Sequence, residues 1–419
     1  MNYRIFPPEE LPECSISLPL SKSMSARALI INALQQRTTT AKVASCDDTK
    51  AMSDALAVNS GTVNINAAGT AMRFLTAYYA VTEGSDIILD GTERMRHRPI
   101  GPLVDALRQC GACIEYTGEE GFPPLHIHGR KLDGGKVSID ASVSSQFISA
   151  LLMTAPYMTL GLDLTLEGEL ASLPYADMTL SMMREAGAEA ERNGANIIVK
   201  PVEYSLPVTQ VEADWSAASY WYEIEALTSG FITLEGVAAH STQGDSMVAK
   251  IYEQLGVVTE FHEENAELLA SPDLSPRLQL DLGECPDLVP AIVVTCVMLR
   301  IPFRFTGLES LRIKECDRID ALCTELLRAG AIITEEAPGI ISWDTVMRPI
   351  QSIPVFDTYD DHRMAMALAP IAAYCPGIII NNAEVVTKSY PEYWNDLRVA
   401  GFIVQDESEP IPEQFDIQQ

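Results

Sequence analysis

Five times along this chain the same plan recurs: an amphipathic helix with apolar residues at i, i+3 and i+4, then a glycine with a small or apolar neighbour, then a short β-prone stretch. The marking glycines are Gly111, Gly187, Gly256, Gly330 and Gly401, spaced 76, 69, 74 and 71 residues apart. Glycine suits the position just past a helix end, where a left-handed backbone costs it little. Asp47 to Gly61 reads as an earlier, more closely spaced member. A period of about seventy residues is too long for a solenoid repeat and fits a supersecondary unit of strands plus two helices. At 419 residues, the chain has room for six such units, most simply three in each of two domains. Short β-rich pieces between the helices, Asp86–Leu89, Val137–Asp140, Phe231–Leu234 and Gly377–Ile380, complete an α/β pattern.

Charge narrows the partners. Twenty-nine Lys and Arg against fifty-eight Asp and Glu leave a net −29, which argues against nucleic acid and anionic membrane as partners. An acidic protein that binds a small anion must gather its few cations in one place. The longest apolar run, Leu288 to Leu299, contains Pro290 and is too short to cross a bilayer. The first residues lack the pattern of a secretory leader, so the cytoplasm is expected. Nine cysteines are scattered without a framework spacing, and the one C-x-x-C, Cys110 to Cys113, straddles Gly111 with no second pair. Reduced thiols and no bound metal are expected.

The cations are indeed gathered, and always just ahead of a helical pattern. Ser21-Lys22-Ser23-Met24-Ser25-Ala26-Arg27 places three hydroxyls and two cations before the apolar run Ala28–Leu34. There the free N–H groups and the positive end of the helix dipole favour an anion. Ala67-Ala68-Gly69-Thr70 opens a second helix with small residues, and Gly69 lets a ligand approach the backbone. Arg94, Arg96 and Arg98 form the densest basic cluster and read as a phosphate or carboxylate clamp, because guanidinium binds such groups bidentately. Ser144-Ser145-Gln146 repeats the opening with hydroxyls and an amide before Phe147–Ala155, and Ser172 and Tyr175 add further hydroxyls; helix capping alone accounts for such serines too.

In the second half, Asp287 stands at the mouth of the most apolar helix, as a reactive carboxylate or as its cap. Lys314 and Arg318, four residues apart, flank Glu315 and would tune it for acid–base work if they share a helical turn. Asp361 suits the cap of Met364–Ala373, leaving Arg363 near its N-terminus. Lys388 precedes a last helix. Six helix N-termini pointing the same way would line a cleft between two domains that closes on a multiply charged substrate.

Taken together these stretches resemble the EPSP synthase family, the 3-phosphoshikimate 1-carboxyvinyltransferases. The matching runs are SKSMSARAL, AGTAMR, RMRHRPIGPLVDAL, SSQF, LPYADMTL, PDLVP, RIKECDR, DDHRMAMA and TKSYPEY, in the family's order. The resemblance implies two domains, each of three βαβαββ-type units in an inside-out α/β barrel, with the substrates between them. One domain would comprise residues 1–18 plus 213–419 and the other residues 19–212. It implies that the 5-hydroxyl of 3-phosphoshikimate adds to C2 of phosphoenolpyruvate while C3 is protonated, after which phosphate leaves. No cofactor or metal is implied, and the enzyme is expected to be a monomer.

Carried over residue by residue, 3-phosphoshikimate would meet Lys22, Ser23, Arg27, Ser144, Ser145, Gln146, Ser172, Tyr175, Asp287 and Lys314. Phosphoenolpyruvate would meet Lys22, Gly69, Arg98, Gln146, Arg318, Arg363 and Lys388. Asp287 is the implied base toward the attacking hydroxyl, and Glu315 with Lys22 or Lys388 the implied proton carriers at the enolpyruvyl carbon. Leu20, Ala67, Phe74 and Ser310 depart from the family's usual residues without removing a charge. Ala67 and Phe74 alter the wall around Gly69, which bears on sensitivity to glyphosate, the family's inhibitor. A UDP-N-acetylglucosamine enolpyruvyl transferase would carry Lys-Asn in place of Lys22-Ser23 and a reactive Cys in the arginine loop, where this chain has none.

Overall fold

The computed structural model describes residues 1–36, 41–140, 144–168 and 173–415. They form two compact units, Met1–Pro19 with Ala213–Gln419 and Leu20–Glu212, each around one continuous apolar core.

The repeat is a strand–helix–strand–helix–strand–strand unit. In one copy, strand Leu278–Asp281 leads through helix Val289–Met298 to a parallel neighbour, Phe303–Thr306. Helix Arg318–Arg328 then leads to the hairpin Thr334–Ala337 and Ile340–Trp343, whose second strand pairs antiparallel with Phe303–Thr306. The sheet order is therefore first–second–fourth–third. Two further sheets in the same unit and two in the Leu20–Glu212 unit have this order. Each is an open four-stranded sheet among the described residues. The helix pair Lys22–Leu34 and Asp47–Leu56 belongs to the same plan.

The N-terminal segment completes two copies at once. Tyr3–Phe6 is the fourth strand beside Ile378–Ile380 and Ile403–Asp406, and Glu13–Ser17 is the first strand, parallel to Phe231–Glu235. The chain then leaves for Leu20–Glu212 before returning to helix Trp215–Thr228.

The two helices of a repeat differ in kind. The first is buried on nearly all sides: Val289–Met298 is buried at every position except Met298. In one unit Trp215–Thr228, Val289–Met298 and His362–Leu368 pack on one another, and in the other Lys22–Leu34, Gly69–Val81 and Ser145–Thr154 do. Each unit is thus built around three helices with its sheets outside them. The second helix has one apolar face, as in Arg318–Arg328, which buries Ile319, Leu322 and Leu326.

Four second helices end alike. The N–H groups of Gly111, Gly187, Gly330 and Gly401 bond to Arg108, Arg184, Leu327 and Arg398, and those of the following residues reach one residue further back. All four glycines have φ between +88° and +98°, the left-handed end that glycine favours. Gly256 and Gly61 differ from expectation. Helix Val248–Tyr252 stops earlier, so Gly256 falls inside strand Leu255–Phe261 at a register shift, and Gly61 falls inside strand Ser60–Asn64.

Candidate active site

Within each unit the junctions that lead into the helices carry the polar residues. In the Leu20–Glu212 unit, the three serines of the opening cluster divide their work. Ser21 caps helix Lys22–Leu34 by accepting from the Met24 N–H, and Ser25 is buried and accepts from the Ala44 N–H at 2.8 Å. Lys22, at the first helical position, lies 3.4 Å from Asp48 at the start of the next helix.

Arg27 is the opposite of a solvated cation. Its guanidinium donates to Thr179 Oγ1 at 2.7 Å, Ser149 Oγ at 2.9 Å, the Ser23 carbonyl at 2.8 Å and the Tyr175 carbonyl at 3.3 Å. Burial pulls it down to about 10, and the Phe74 ring lies 5.3 Å away. It therefore ties together the two elements that present Ser23 and Tyr175.

Gly69 starts helix Gly69–Val81, and the Arg98 side chain lies directly against it. A Cβ on Gly69 would sit 2.5 Å from Arg98 Nη1. Arg73 holds that arrangement by donating to the Gly69 carbonyl at 3.1 Å and the Pro99 carbonyl at 2.9 Å. The arginine loop does not act as one clamp: Arg98 is buried, while Arg96 pairs with Asp90 at the surface. Ser144 caps helix Ser145–Thr154 through the Gln146 N–H, and the Gln146 amide donates to Thr70 Oγ1 at 3.1 Å. Gln146 and the Gly69 helix start are thereby joined. Ser172 lies outside the described residues.

In the Met1–Pro19 and Ala213–Gln419 unit, Arg318 is the hub. It is 1 % exposed and bonds Asp361 at 2.7 Å, Asp287 at 2.8 Å and Glu315 at 3.0 Å. Asp287 is not a helix cap; it lies in the turn Pro286–Leu288 and accepts from Arg318 on one oxygen and from Arg363 at 2.8 Å on the other. Lys314 stands 3.8 Å from Asp287, and Lys388 3.4 Å from Glu315. Four cations are thus interleaved with three carboxylates.

Lys314 and Arg318 do not share a helical turn, contrary to the spacing argument. Asp317 accepts from the Asp320 N–H and starts the helix at Arg318, leaving Lys314 in extended backbone. Both nonetheless reach Asp287. Asp361 does cap its helix, accepting from the Arg363 N–H at 2.9 Å, while it also holds Arg318.

The electrostatics follow from this crowding. Burial pushes the Asp287 carboxyl up, but Arg363, Lys314 and Arg318 overcome it and hold the group well below the usual carboxylate range. Burial lowers Lys314 despite Asp287. Asp245, hydrogen-bonded by Ser216, is pushed up to about 7 by burial and then by the charge of Asp287. Asp245 and Tyr220, whose hydroxyl lies 3.5 Å from Arg363, are site residues missed in the sequence. Asp245 precedes a second helix as Glu315 does, but no cation adjoins it in the chain to mark it.

The family model for EPSP synthase (3-phosphoshikimate 1-carboxyvinyltransferase) matches residues 55–397. A 3-phosphoshikimate 1-carboxyvinyltransferase of Bacteroides fragilis is 50% identical over 406 residues, covering 96% of this chain and 98% of that protein. One of Shewanella halifaxensis is 36% identical, covering 94% and 98%. Among solved structures, an EPSP synthase of Acinetobacter baumannii aligns with a TM-score of 0.73 at 22% identity, over 97% of this chain and all of that one, which supports the fold.

Proposed function

The chain belongs to the EPSP synthase family, and from that premise we propose that it transfers the enolpyruvyl group of phosphoenolpyruvate to the 5-hydroxyl of 3-phosphoshikimate, releasing phosphate. The observation that carries the reading is the gathering of Lys314, Arg318, Arg363 and Lys388 around Asp287 and Glu315 in a chain of net charge −29. That arrangement suits a substrate with both a carboxylate and a phosphate.

In this reading phosphoenolpyruvate meets Lys22, Gly69, Arg98, Gln146, Arg318, Arg363 and Lys388. 3-Phosphoshikimate meets Lys22, Ser23, Arg27, Ser144, Ser145, Gln146, Ser172, Tyr175, Asp287 and Lys314, and Arg27 also ties together the elements that present Ser23 and Tyr175. Asp287 starts as a weak base, because two guanidinium groups hold its charge. A substrate carboxylate that draws on Arg318 and Arg363 screens their charge, raises Asp287 from that depressed range and frees an oxygen for the 5-hydroxyl proton, with Lys314 still beside it. Base strength then appears only when phosphoenolpyruvate is bound. Glu315, held between Arg318 and Lys388, is set to carry the proton to C3 with Lys22 or Lys388. No cofactor or metal takes part. The acidic charge and nine free cysteines fit a cytoplasmic monomer. Among the described residues no helix is long and apolar enough to cross a membrane.

The test is phosphate release from phosphoenolpyruvate. Release that depends on 3-phosphoshikimate is expected; no release, or equal release with UDP-N-acetylglucosamine, would overturn the assignment.

A further inference from the structure

We propose that the outer face of one sheet in the Leu20–Glu212 unit carries a surface site for a divalent transition metal of the zinc type, with Asp86, His126 and His128 as ligands. None of these residues belongs to the site described above. Strands Asp86–Asp90 and Leu125–His128 run antiparallel with Asp86 directly opposite His128. His126 is two residues along the same strand, so both imidazoles stand on one face, while Ile127 between them is fully buried and fixes which face that is.

The three side chains already converge. Nε2 of His126 is 2.7 Å and Nδ1 of His128 is 3.1 Å from the same Asp86 oxygen. The two rings lie 4.1 Å apart between centroids, and one ligand atom from each residue falls within 4.8 Å of the others. Tetrahedral zinc, with bonds of about 2.0–2.1 Å, sets its ligand atoms about 3.3 Å apart. The two nitrogen–oxygen separations therefore need to widen by about 0.2–0.6 Å to admit an ion. Two imidazoles and a carboxylate select zinc, nickel or copper over magnesium or calcium, which prefer all-oxygen sets. The side chains are 29%, 39% and 62% exposed, so an ion has an open path and water can complete the coordination.

Another cluster among the described residues provides an internal control. Glu260 and Glu267 lie opposite each other on the third and fourth strands of a repeat in the other unit, and His262 follows the end of the third strand. It offers one imidazole and two carboxylates, a weaker set for a zinc-type ion.

The experiment is titration of Zn2+ into the full chain after removal of metal with a chelator, by calorimetry in a non-coordinating buffer. One saturable site is expected, weakened at least tenfold by His126→Ala and by His128→Ala and unaffected by His262→Ala. Co2+ in place of Zn2+ should give the visible bands of a tetrahedral ion in the unaltered chain and lose them in the first two variants. All three substitutions are at partly exposed side chains and should leave phosphate release and melting temperature without metal unchanged. Absence of a saturable site, retention of binding in both His126→Ala and His128→Ala, or loss in His262→Ala alone would each overturn the proposal.

Discussion

Replacing Gly69 by alanine tests the geometry of the phosphoenolpyruvate assignment most directly. The added Cβ would stand 2.5 Å from Arg98 Nη1, 3.0 Å from Cζ and 3.1 Å from Nη2, where ordinary contact begins at 3.4 Å. The backbone at Gly69 is not left-handed, and alanine is the better helix former, so the helix itself should accept the change. Relief must come from the guanidinium, which has to withdraw by about 1 Å. A displacement of that size in a positioning group costs on the order of 100-fold, or about 2.7 kcal/mol at 1.36 kcal/mol per tenfold. Steady-state kinetics with each substrate varied should show that loss in kcat/KM for phosphoenolpyruvate, with KM for 3-phosphoshikimate little changed and the melting temperature within a degree or two. Phosphoenolpyruvate kinetics within twofold of the unaltered enzyme would refute the reasoning. So would a large fall in melting temperature, because the strain would then have entered the backbone instead of Arg98.

Two other perturbations probe the second unit. Arg318→Ala removes the counter-charge of buried Asp361 and of partly buried Asp287 and Glu315, so denaturant unfolding should show a loss of about 3–5 kcal/mol; a loss under 1 kcal/mol would mean that the carboxylates find other partners. Asp245→Asn tests a pH dependence: the folded carboxyl titrates at about 7 against an ordinary 3.8, so its stabilising contribution is complete below 3.8, falls as pH climbs and is gone above about 7. Stability measured at pH 5 and pH 8 should therefore fall less in Asp245→Asn than in the unaltered chain, and parallel losses would remove Asp245 as the source.

What could be read from the sequence was whatever had a local cause. The repeat announced itself through helix ends, because the left-handed residue after a helix favours glycine, and Gly111, Gly187, Gly330 and Gly401 sit at such ends. Gly256 broke the pattern because a bulged strand also favours glycine, and spacing alone does not separate the two uses. The cations stood out because the chain is so acidic. Their partners did not: Arg27 meets Ser149 and Thr179, 122 and 152 residues away, and Arg318 meets Asp361 43 residues away. Nothing local marks Arg27 as a buried tie or separates Arg98 from Arg96.

The repeat also explains why a site should form where it does. Each unit packs three first helices against one another, and Gly69–Val81, Val289–Met298 and His362–Leu368 each follow a strand of their own unit through a short junction of equivalent position. A junction ahead of a helix has free N–H groups and tolerates varied side chains, since it lies outside both the ladder and the buried helix. Divergence at these points changes chemistry without changing the core: the Ser216 junction holds Asp245, the Asp287 turn meets two arginines, and the Asp361 junction supplies Arg363. The ion pairs that bind these junctions also bring together residues the chain separates widely. Asp287, Arg318 and Arg363 form one network because their helices begin at the same end of the unit, and a fold in which one repeat ran the other way would scatter the same residues.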